Sequence, residues 1–160
     1  MSSLAYVENP LDRCANRRSD GAWIAALRQD PKARFVHING DKTVVVDGKL
    51  VTSLPCANGE AVFLGLDGEG APWFACASEV TDNLRDLRGL ALEEALPGPE
   101  LGILAQARAF VHWHARRGFC SNCGGRNAVA DAGYRRHCEA CGSDHFPRDR
   151  KSTRLNSSHI

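Results

Sequence analysis

Four cysteines near the end of the chain have the spacing of a metal-binding motif. Cys120 and Cys123 form one C-x-x-C pair, and Cys138 and Cys141 form a second pair after fourteen intervening residues. Four thiolates at the corners of a tetrahedron suit Zn²⁺, with zinc–sulfur distances of about 2.3 Å. The pattern predicts a zinc ribbon whose metal is structural, because four protein thiolates leave no open position for water.

Three other chemistries compete with zinc at these cysteines. Disulfides are disfavoured because the N-terminus "MSSLAYVENPLDR" lacks the apolar stretch of a secretory signal. A redox pair of the thioredoxin type needs only one C-x-x-C and a strand–helix context. Iron held by the same four thiolates is chemically possible. We favour zinc over all three.

Glycines follow both cysteine pairs, at Gly124, Gly125 and Gly142. They allow the positive φ that turns backbone N–H groups toward the sulfurs. The segment between the pairs, "GGRNAVADAGYRRH", has the length and turn residues of a short hairpin.

The charge around the motif does not indicate a nucleic-acid site. Between residues 116 and 150, seven arginines face four acidic residues. A zinc ion held by four thiolates carries two negative charges, so the net charge of this region is close to +1. We expect Arg135 and Arg136 to offset the charge of the metal centre rather than to bind phosphates.

The composition is that of an ordinary soluble protein. The chain has 160 residues, of which 43% are hydrophobic and 24% charged, and its net charge is +1. This length suits one medium domain, or a small domain with a metal-stabilised module. No apolar run is long enough to span a membrane. We therefore expect no membrane partner and a cytoplasmic location.

The sequence before the cysteine motif predicts a sheet followed by a long helix. Ser19 or Asp20 can cap a helix in "GAWIAALRQD". Residues 33–78 alternate short apolar runs with turns, which predicts five antiparallel strands. The strongest helix is "PELGILAQARAFVHWHARR", with Pro99 in its first turn and arginines at its end.

The remaining cysteines and two aromatic residues are interpreted as packing groups. Cys14, Cys56 and Cys76 stand alone in the sequence and read as small apolar fillers. Trp73 and Phe74 read as sheet core or as a face that touches a further domain.

The histidines are not expected to bind metal. His112 and His114 flank Trp113 but point about 200° apart on a helix. His137 adjoins Cys138, yet four cysteines already complete the site. His145 is expected to pack the ribbon together with the neighbouring phenylalanine.

Several stretches together resemble one family. "FCSNCGG…YRRHCEACGSDHFPR" resembles the zinc ribbon of the NADH pyrophosphatases of the Nudix superfamily, and "AVFLGLDGEGAPWFA" resembles the segment before that ribbon. The resemblance implies an α+β fold: a rudimentary Nudix-like domain, with an antiparallel sheet and a long helix, followed by a rubredoxin-like zinc ribbon with four cysteine ligands. The expected divisions are an irregular segment (1–19), the non-catalytic Nudix-like domain (20–117), the ribbon (118–148) and a tail (149–160).

The resemblance also implies an activity for the parent protein. Family members hydrolyse the pyrophosphate of NAD(H) to AMP and nicotinamide mononucleotide, and bacterial members are linked to removing NAD caps from RNA. Mg²⁺ or Mn²⁺ carries out the phosphate chemistry, zinc is structural, and homodimers are typical.

The match stops before the family's catalytic motif. The Nudix box, G-x5-E-x7-R-E-x2-E-E-x-G, places metal-binding glutamates on one helix. No Arg-Glu dipeptide occurs in this chain, and its only Glu-Glu is Glu93-Glu94. We therefore assign no catalytic and no cofactor-binding residue, and we expect the chain alone to be an inactive fragment.

The final segment, "DRKSTRLNSSHI", stands where the family places a hydrophobic strand. It resembles a tail attributed to translated sequencing-adapter DNA, so we expect it to be non-native.

The alternative to a fragment of an NADH pyrophosphatase is a free-standing zinc-ribbon module that binds nucleic acid or protein. A natural stop after the ribbon and salt-dependent RNA binding would favour that alternative.

Overall fold

The computed structural model describes residues 9–56 and 61–147, which form a mixed α and β structure. The predicted tail and the first eight residues lie outside the described residues. The helices are α1 (Gly21–Arg28), α2 (Leu87–Leu92) and α3 (Gly98–Arg116), with a 3₁₀ turn at Asp131–Gly133. The strands are β1 (Arg34–Asn39), β2 (Lys42–Val46), β3 (Lys49–Leu50), β4 (Val62–Leu66), β5 (Pro72–Ala77), β6 (Leu84–Asp86), β7 (Asn127–Ala130), β8 (Arg135–Cys138) and β9 (Asp144–His145).

The first helix begins where the sequence predicts. The carboxylate of Asp20 accepts a hydrogen bond from the backbone N–H of Trp23 at 3.1 Å and so caps α1. Ile24 lies on the buried face of α1. The Trp23 and Phe63 rings pack edge to face, with centroids 5.8 Å apart. The predicted cap is confirmed at Asp20.

The larger sheet differs from the predicted antiparallel arrangement. Its strand order is β3-β2-β1-β5-β4, and β6 pairs with β2. The pairing of β1 with β5 is parallel, whereas the others are antiparallel. The five-strand antiparallel prediction is therefore wrong at this pairing, and it misses β6. Val36, His37 and Ile38 are all buried, so β1 is a central strand covered on both faces. A central strand needs a pairing partner on each edge, and β1 finds its second partner in β5, which is distant in the sequence.

Two hydrophobic clusters cover the two faces of this sheet. The larger one joins Trp73, Val36 and Ile38 to the α3 residues Leu104 and Ala107. The smaller one lies on the α1 side and contains Ile24, Ala61, Phe63 and Phe74. Trp73 and Phe74 are thus both core residues, on opposite faces, which settles their predicted role in favour of packing.

The long helix α3 lies within one residue of its predicted bounds. Pro99 occupies its first turn, and Glu100 adds a negative charge where the helix dipole is positive. Its buried residues include Leu101, Leu104 and Phe110. Among the described helices, none combines the length and apolar character needed to cross a membrane.

A bulge in β4 shapes the contact between the sheet and the N-terminal segment. The register with β5 shifts between Phe63 and Gly65, so Leu64 has no partner residue in β5. Gly65 has φ +145°, and a Cβ built there would lie 2.6 Å from the backbone oxygen of Asp12. Only glycine fits this position, because both the backbone conformation and the close approach of residue 12 exclude a side chain.

The bulge also leaves the Leu64 carbonyl free to accept hydrogen bonds from two other elements. Gln106 of α3 donates to it at 3.1 Å through Nε2, and the Tyr134 hydroxyl donates to it at 3.3 Å. Gln106 in turn accepts a hydrogen bond from Asn9 Nδ2 at 2.7 Å. This network joins the N-terminal segment, β4, α3 and the cysteine-containing end of the chain.

We predict that Gly65→Ala lowers the free energy of unfolding by roughly 2 to 4 kcal/mol, since it adds both backbone strain and a steric clash. Urea unfolding of the full chain followed by tryptophan fluorescence measures the change. Gly68→Ala, in the turn after β4, is the matched control, because a Cβ at that position meets no atom within 4 Å. The control is expected to stay within about 0.5 kcal/mol of the parent. Equal effects of the two substitutions would contradict the role of the bulge.

Candidate metal centre

The four cysteines lie in a small unit that follows α3, which we call the cysteine module (residues 118–147). Its sheet has three strands in the order β7-β8-β9, all antiparallel. The hairpin between β7 and β8 confirms the predicted one, and its 3₁₀ turn contains positive φ angles from residue 131 to residue 133. The module begins against the end of α3, where Asn127 donates to the Arg117 carbonyl at 3.0 Å.

Each cysteine pair lies in a tight turn closed by a glycine. The N–H of Gly124 donates to the Cys120 carbonyl at 2.9 Å, and the N–H of Gly142 donates to the Cys138 carbonyl at 2.8 Å. Both glycines have positive φ, +78° and +79°, which L side chains rarely adopt. The predicted backbone conformation after each pair is therefore confirmed.

Gly125 is needed for a different reason. Its φ is not in the positive range, but a Cβ there would lie 3.0 Å from the Cβ of Ala140 and 3.3 Å from the sulfur of Cys123. Ala140 belongs to the second cysteine turn, so the two turns lie close together at this point. A side chain at residue 125 would therefore push the two cysteine pairs apart.

The four sulfur atoms have the spacing that a tetrahedral metal site requires. All four lie within 4.8 Å of one another. Cys120 Sγ is 3.7 Å from Cys141 Sγ, and Cys123 Sγ is 3.5 Å from Cys138 Sγ. A tetrahedron with metal–sulfur bonds of about 2.3 Å has sulfur–sulfur edges of about 3.8 Å. The donor set and its geometry thus fit a zinc ion, and the structure brings together all four cysteines singled out from the sequence.

Backbone and side-chain groups point toward the sulfurs. The N–H of Asn122 donates to Cys120 Sγ at 3.3 Å, and the N–H of Gly125 donates to Cys123 Sγ at 3.4 Å. His145 Nε2 lies 3.3 Å from Cys120 Sγ. Donors of this kind stabilise thiolate ligands and tune a metal site. The sequence predicted only packing for His145, because its contact with residue 120 depends on the closed hairpin.

The surroundings of Cys123 and Cys141 shift the pKa values of these two thiols in opposite directions. Hydrogen bonds from the side chain and the backbone of Ser143 lower the pKa of Cys141 to about 6. At Cys123, the amide of Gly125 lowers the pKa, but hydrogen bonds with Cys138 and Cys141 outweigh it and raise the pKa to about 12. A divalent cation at the centre favours the thiolate form of every ligand, so metal binding displaces the protons that remain.

The two arginines next to Cys138 have different partners. Arg135 donates to Asp131 at 2.9 Å and to Asp144 at 2.6 Å, so carboxylates offset its charge. This differs from the prediction that Arg135 offsets the charge of the metal centre. Arg136 is buried, and it donates through Nε to His114 Nδ1 at 2.9 Å and through Nη1 to the Asn127 carbonyl at 3.2 Å. Of the two arginines, only Arg136 is positioned without an acidic partner among the described ion pairs.

The other histidines serve as hydrogen-bonding groups. His112 Nε2 lies 2.8 Å from the Gly40 carbonyl, and His114 Nε2 lies 2.8 Å from the Gly133 carbonyl. His137 Nδ1 lies 2.8 Å from Asp144 Oδ1. His114 and Arg136 together tie α3 to the cysteine module.

The interpretation of Cys56 and Cys76 as apolar fillers is wrong. Their sulfurs form a disulfide, with Cα atoms 6.1 Å apart and a sequence separation of 20. Neither residue lies in a C-x-x-C pair, so no sequence signal identified the bond. Cys14 is free and packs beside the smaller hydrophobic cluster, as predicted.

Comparison with known proteins gives matches to both parts of the chain. A model of the NADH pyrophosphatase-like rudimentary NUDIX domain matches residues 32–113, and a model of the NADH pyrophosphatase zinc ribbon domain matches residues 115–146. The NAD-capped RNA hydrolase NUDT12 of Homo sapiens is 44% identical over 39 residues, which are 24% of this chain and 8% of that protein. NUDT12 of Pongo abelii is 41% identical over 39 residues, again 24% of this chain and 8% of that protein.

The two family models follow one another along the chain without overlap, and the first covers residues 32–113 of a chain of 160. The curated relatives are matched over only 8% of their length. The bulged sheet with its long helix, and the four-cysteine module after it, correspond in order to the two models. The chain therefore belongs to the NADH pyrophosphatase family of the Nudix superfamily.

Proposed function

We propose that Cys120, Cys123, Cys138 and Cys141 bind one structural Zn²⁺ ion. The support is the spacing of their sulfurs, within 4.8 Å of one another, together with the N–H groups that point at them. Four thiolate ligands complete a tetrahedral shell, so the ion supplies stability and not catalysis. Binding of structural zinc contributes roughly 10 to 16 kcal/mol of folding free energy in small modules.

Removal of the metal is expected to unfold residues 118–147 and to leave much of residues 20–100 folded. The reason is that the module buries few apolar side chains, whereas the sheet is covered by α1 and α3. Hydrogen exchange with peptide-level mass spectrometry, before and after treatment with a strong chelator, measures this difference. Cys120→Ser should give the same pattern in the presence of zinc.

Cys14→Ser is the control for the loss of a thiol, since Cys14 is free and distant in sequence from the module. It should keep protection in both parts of the chain. Protection of residues 118–147 that survives complete removal of the metal would refute the structural role of zinc.

We further propose that the parent protein hydrolyses the pyrophosphate bond of NAD(H), giving AMP and nicotinamide mononucleotide, with NAD-capped RNA as a related substrate. The supporting observation is the succession of the two NADH pyrophosphatase models over residues 32–146. The name of the human relative, an NAD-capped RNA hydrolase, points to the same substrate class. A cytoplasmic homodimer that uses Mg²⁺ or Mn²⁺ is part of this proposal.

Within that protein, the chain acts as a scaffold. The described residues that cluster as possible metal ligands are cysteines and a histidine rather than carboxylates. Mg²⁺ and Mn²⁺ prefer carboxylate and other oxygen ligands, which a Nudix box provides. We propose that a Nudix box of the parent protein, and not the described residues, carries the divalent-cation chemistry, and that the chain divides into the Nudix-like part (20–117) and the zinc ribbon (118–148).

The purified 160-residue chain is expected to release no AMP from NADH in the presence of Mn²⁺. Chromatographic detection of AMP after incubation measures this, and a known amount of AMP added to a parallel reaction serves as the control for detection. AMP release by the chain that survives repurification and depends on Mn²⁺ would show that catalytic residues lie within it.

A further inference from the structure

A second group of metal-ligating side chains lies away from the cysteine module, at His37, Cys56 and Cys76. The parallel pairing of β1 with β5 places His37 directly beside Cys76. Cys56 follows β3 in the chain and reaches the same place, where it forms the disulfide with Cys76. One donor atom from each of the three residues lies within 4.8 Å of the other two.

The orientation of His37 is the observation that points to a ligand. Its Nε2 lies 2.7 Å from the Leu54 carbonyl, which can only accept a hydrogen bond, so Nε2 carries the proton. Nδ1 therefore presents its lone pair, and it faces Cys76 Sγ at 3.7 Å. A disulfide sulfur has no hydrogen to donate. Nδ1 is thus a buried acceptor without an N–H or O–H donor among the described residues, in a residue that is 4% exposed.

This arrangement is typical of a histidine that binds metal. Metal-binding histidines usually donate their second ring N–H to a carbonyl or carboxylate, which fixes the tautomer and aims the other nitrogen at the ion. Leu54 provides such a carbonyl, and Cys76 is the neighbouring sulfur. The contacts of His37 thus place one nitrogen lone pair beside two sulfur atoms.

We propose that reduction of the Cys56–Cys76 disulfide converts these residues into a second metal site, with His37 Nδ1 and the two thiolates as ligands. The preferred ions are Zn²⁺ and similar borderline-soft divalent cations, which bind thiolate and imidazole together. Three protein ligands leave a fourth position for water or another donor. This site is therefore an exchangeable one, in contrast to the closed four-cysteine site.

The charge of the proposed site suits its burial. Two thiolates and one divalent cation sum to zero, and the imidazole is neutral, so no net charge is buried. Cys76 is 4% exposed, and a charged group there would be costly without compensation. Cys56 is only partly buried, so it gives access to the reductant and to the ion.

The chemical steps balance with a thiol or phosphine reductant. The disulfide accepts two electrons and two protons and yields two thiols. A dithiol reductant supplies both and becomes a disulfide, whereas a phosphine supplies the electrons and becomes its oxide, with the oxygen and the two protons coming from water. Binding of M²⁺ then displaces the two thiol protons, which are released to solvent. Metal uptake at this site consequently depends on the redox state of the chain.

The test compares the zinc content of the full chain in two redox states. The chain prepared and kept in a phosphine reductant, with seven free thiols after metal removal, is loaded with Zn²⁺, freed of excess metal and analysed for zinc. We expect it to hold one more ion per chain than the chain whose disulfide is intact. Equal zinc content in the two states would overturn the proposal.

Two variants locate the additional ion. Cys56→Ser, at a partly exposed position, should lose that one ion in the reduced state while its circular dichroism stays unchanged. Cys14→Ser, at the remaining free cysteine outside the module, should keep it. Loss of the ion in both variants, or in neither, would refute the assignment. His37→Gln, tested in the same way, should weaken zinc retention by about tenfold or more, because it removes the nitrogen donor.

Discussion

One backbone carbonyl, that of Leu64, determines how the two parts of the chain fit together. The bulge leaves Leu64 without a partner residue in β5, yet this residue is fully buried. A buried carbonyl without a hydrogen bond is costly, so the surrounding structure has to supply donors. Gln106 supplies one from α3, and Tyr134 supplies the other from the cysteine module. Burial raises the pKa of Tyr134, which keeps its hydroxyl protonated as a donor.

The position of the cysteine module follows from this contact. Gly133 lies against Val62 of β4 so closely that a Cβ would meet that side chain at 2.6 Å. Its carbonyl accepts from His114 at the end of α3, and His114 in turn accepts from Arg136. The hairpin that carries Cys138 is therefore docked on the sheet at one end and closed by its cysteines at the other. A metal ion at the cysteines would supply the second constraint on this hairpin, which its docked end alone does not keep folded.

The features that could be predicted from the sequence are those that depend on neighbouring residues. The C-x-x-C pairs, the glycines at 124 and 142 and the Asp20 cap all act over a few residues, and the structure shows each as expected. The parallel pairing of β1 with β5 could not be predicted, because short apolar runs do not reveal which strands are neighbours. The disulfide and the orientation of His37 depend on that pairing. They could not be predicted for the same reason, although the sequence contains every residue involved.

The two groups of cysteines place opposite demands on their surroundings. Cys123 and Cys141 are exposed, and four thiolates with one divalent cation leave two negative charges, which water and nearby N–H groups can stabilise. His37 and Cys76 lie inside the sheet, where only a neutral arrangement avoids a large desolvation cost. A disulfide is neutral, and so is a divalent cation with two thiolates and an imidazole. The interior of this fold therefore accepts either state, whereas an isolated thiolate at residue 76 would be unfavourable.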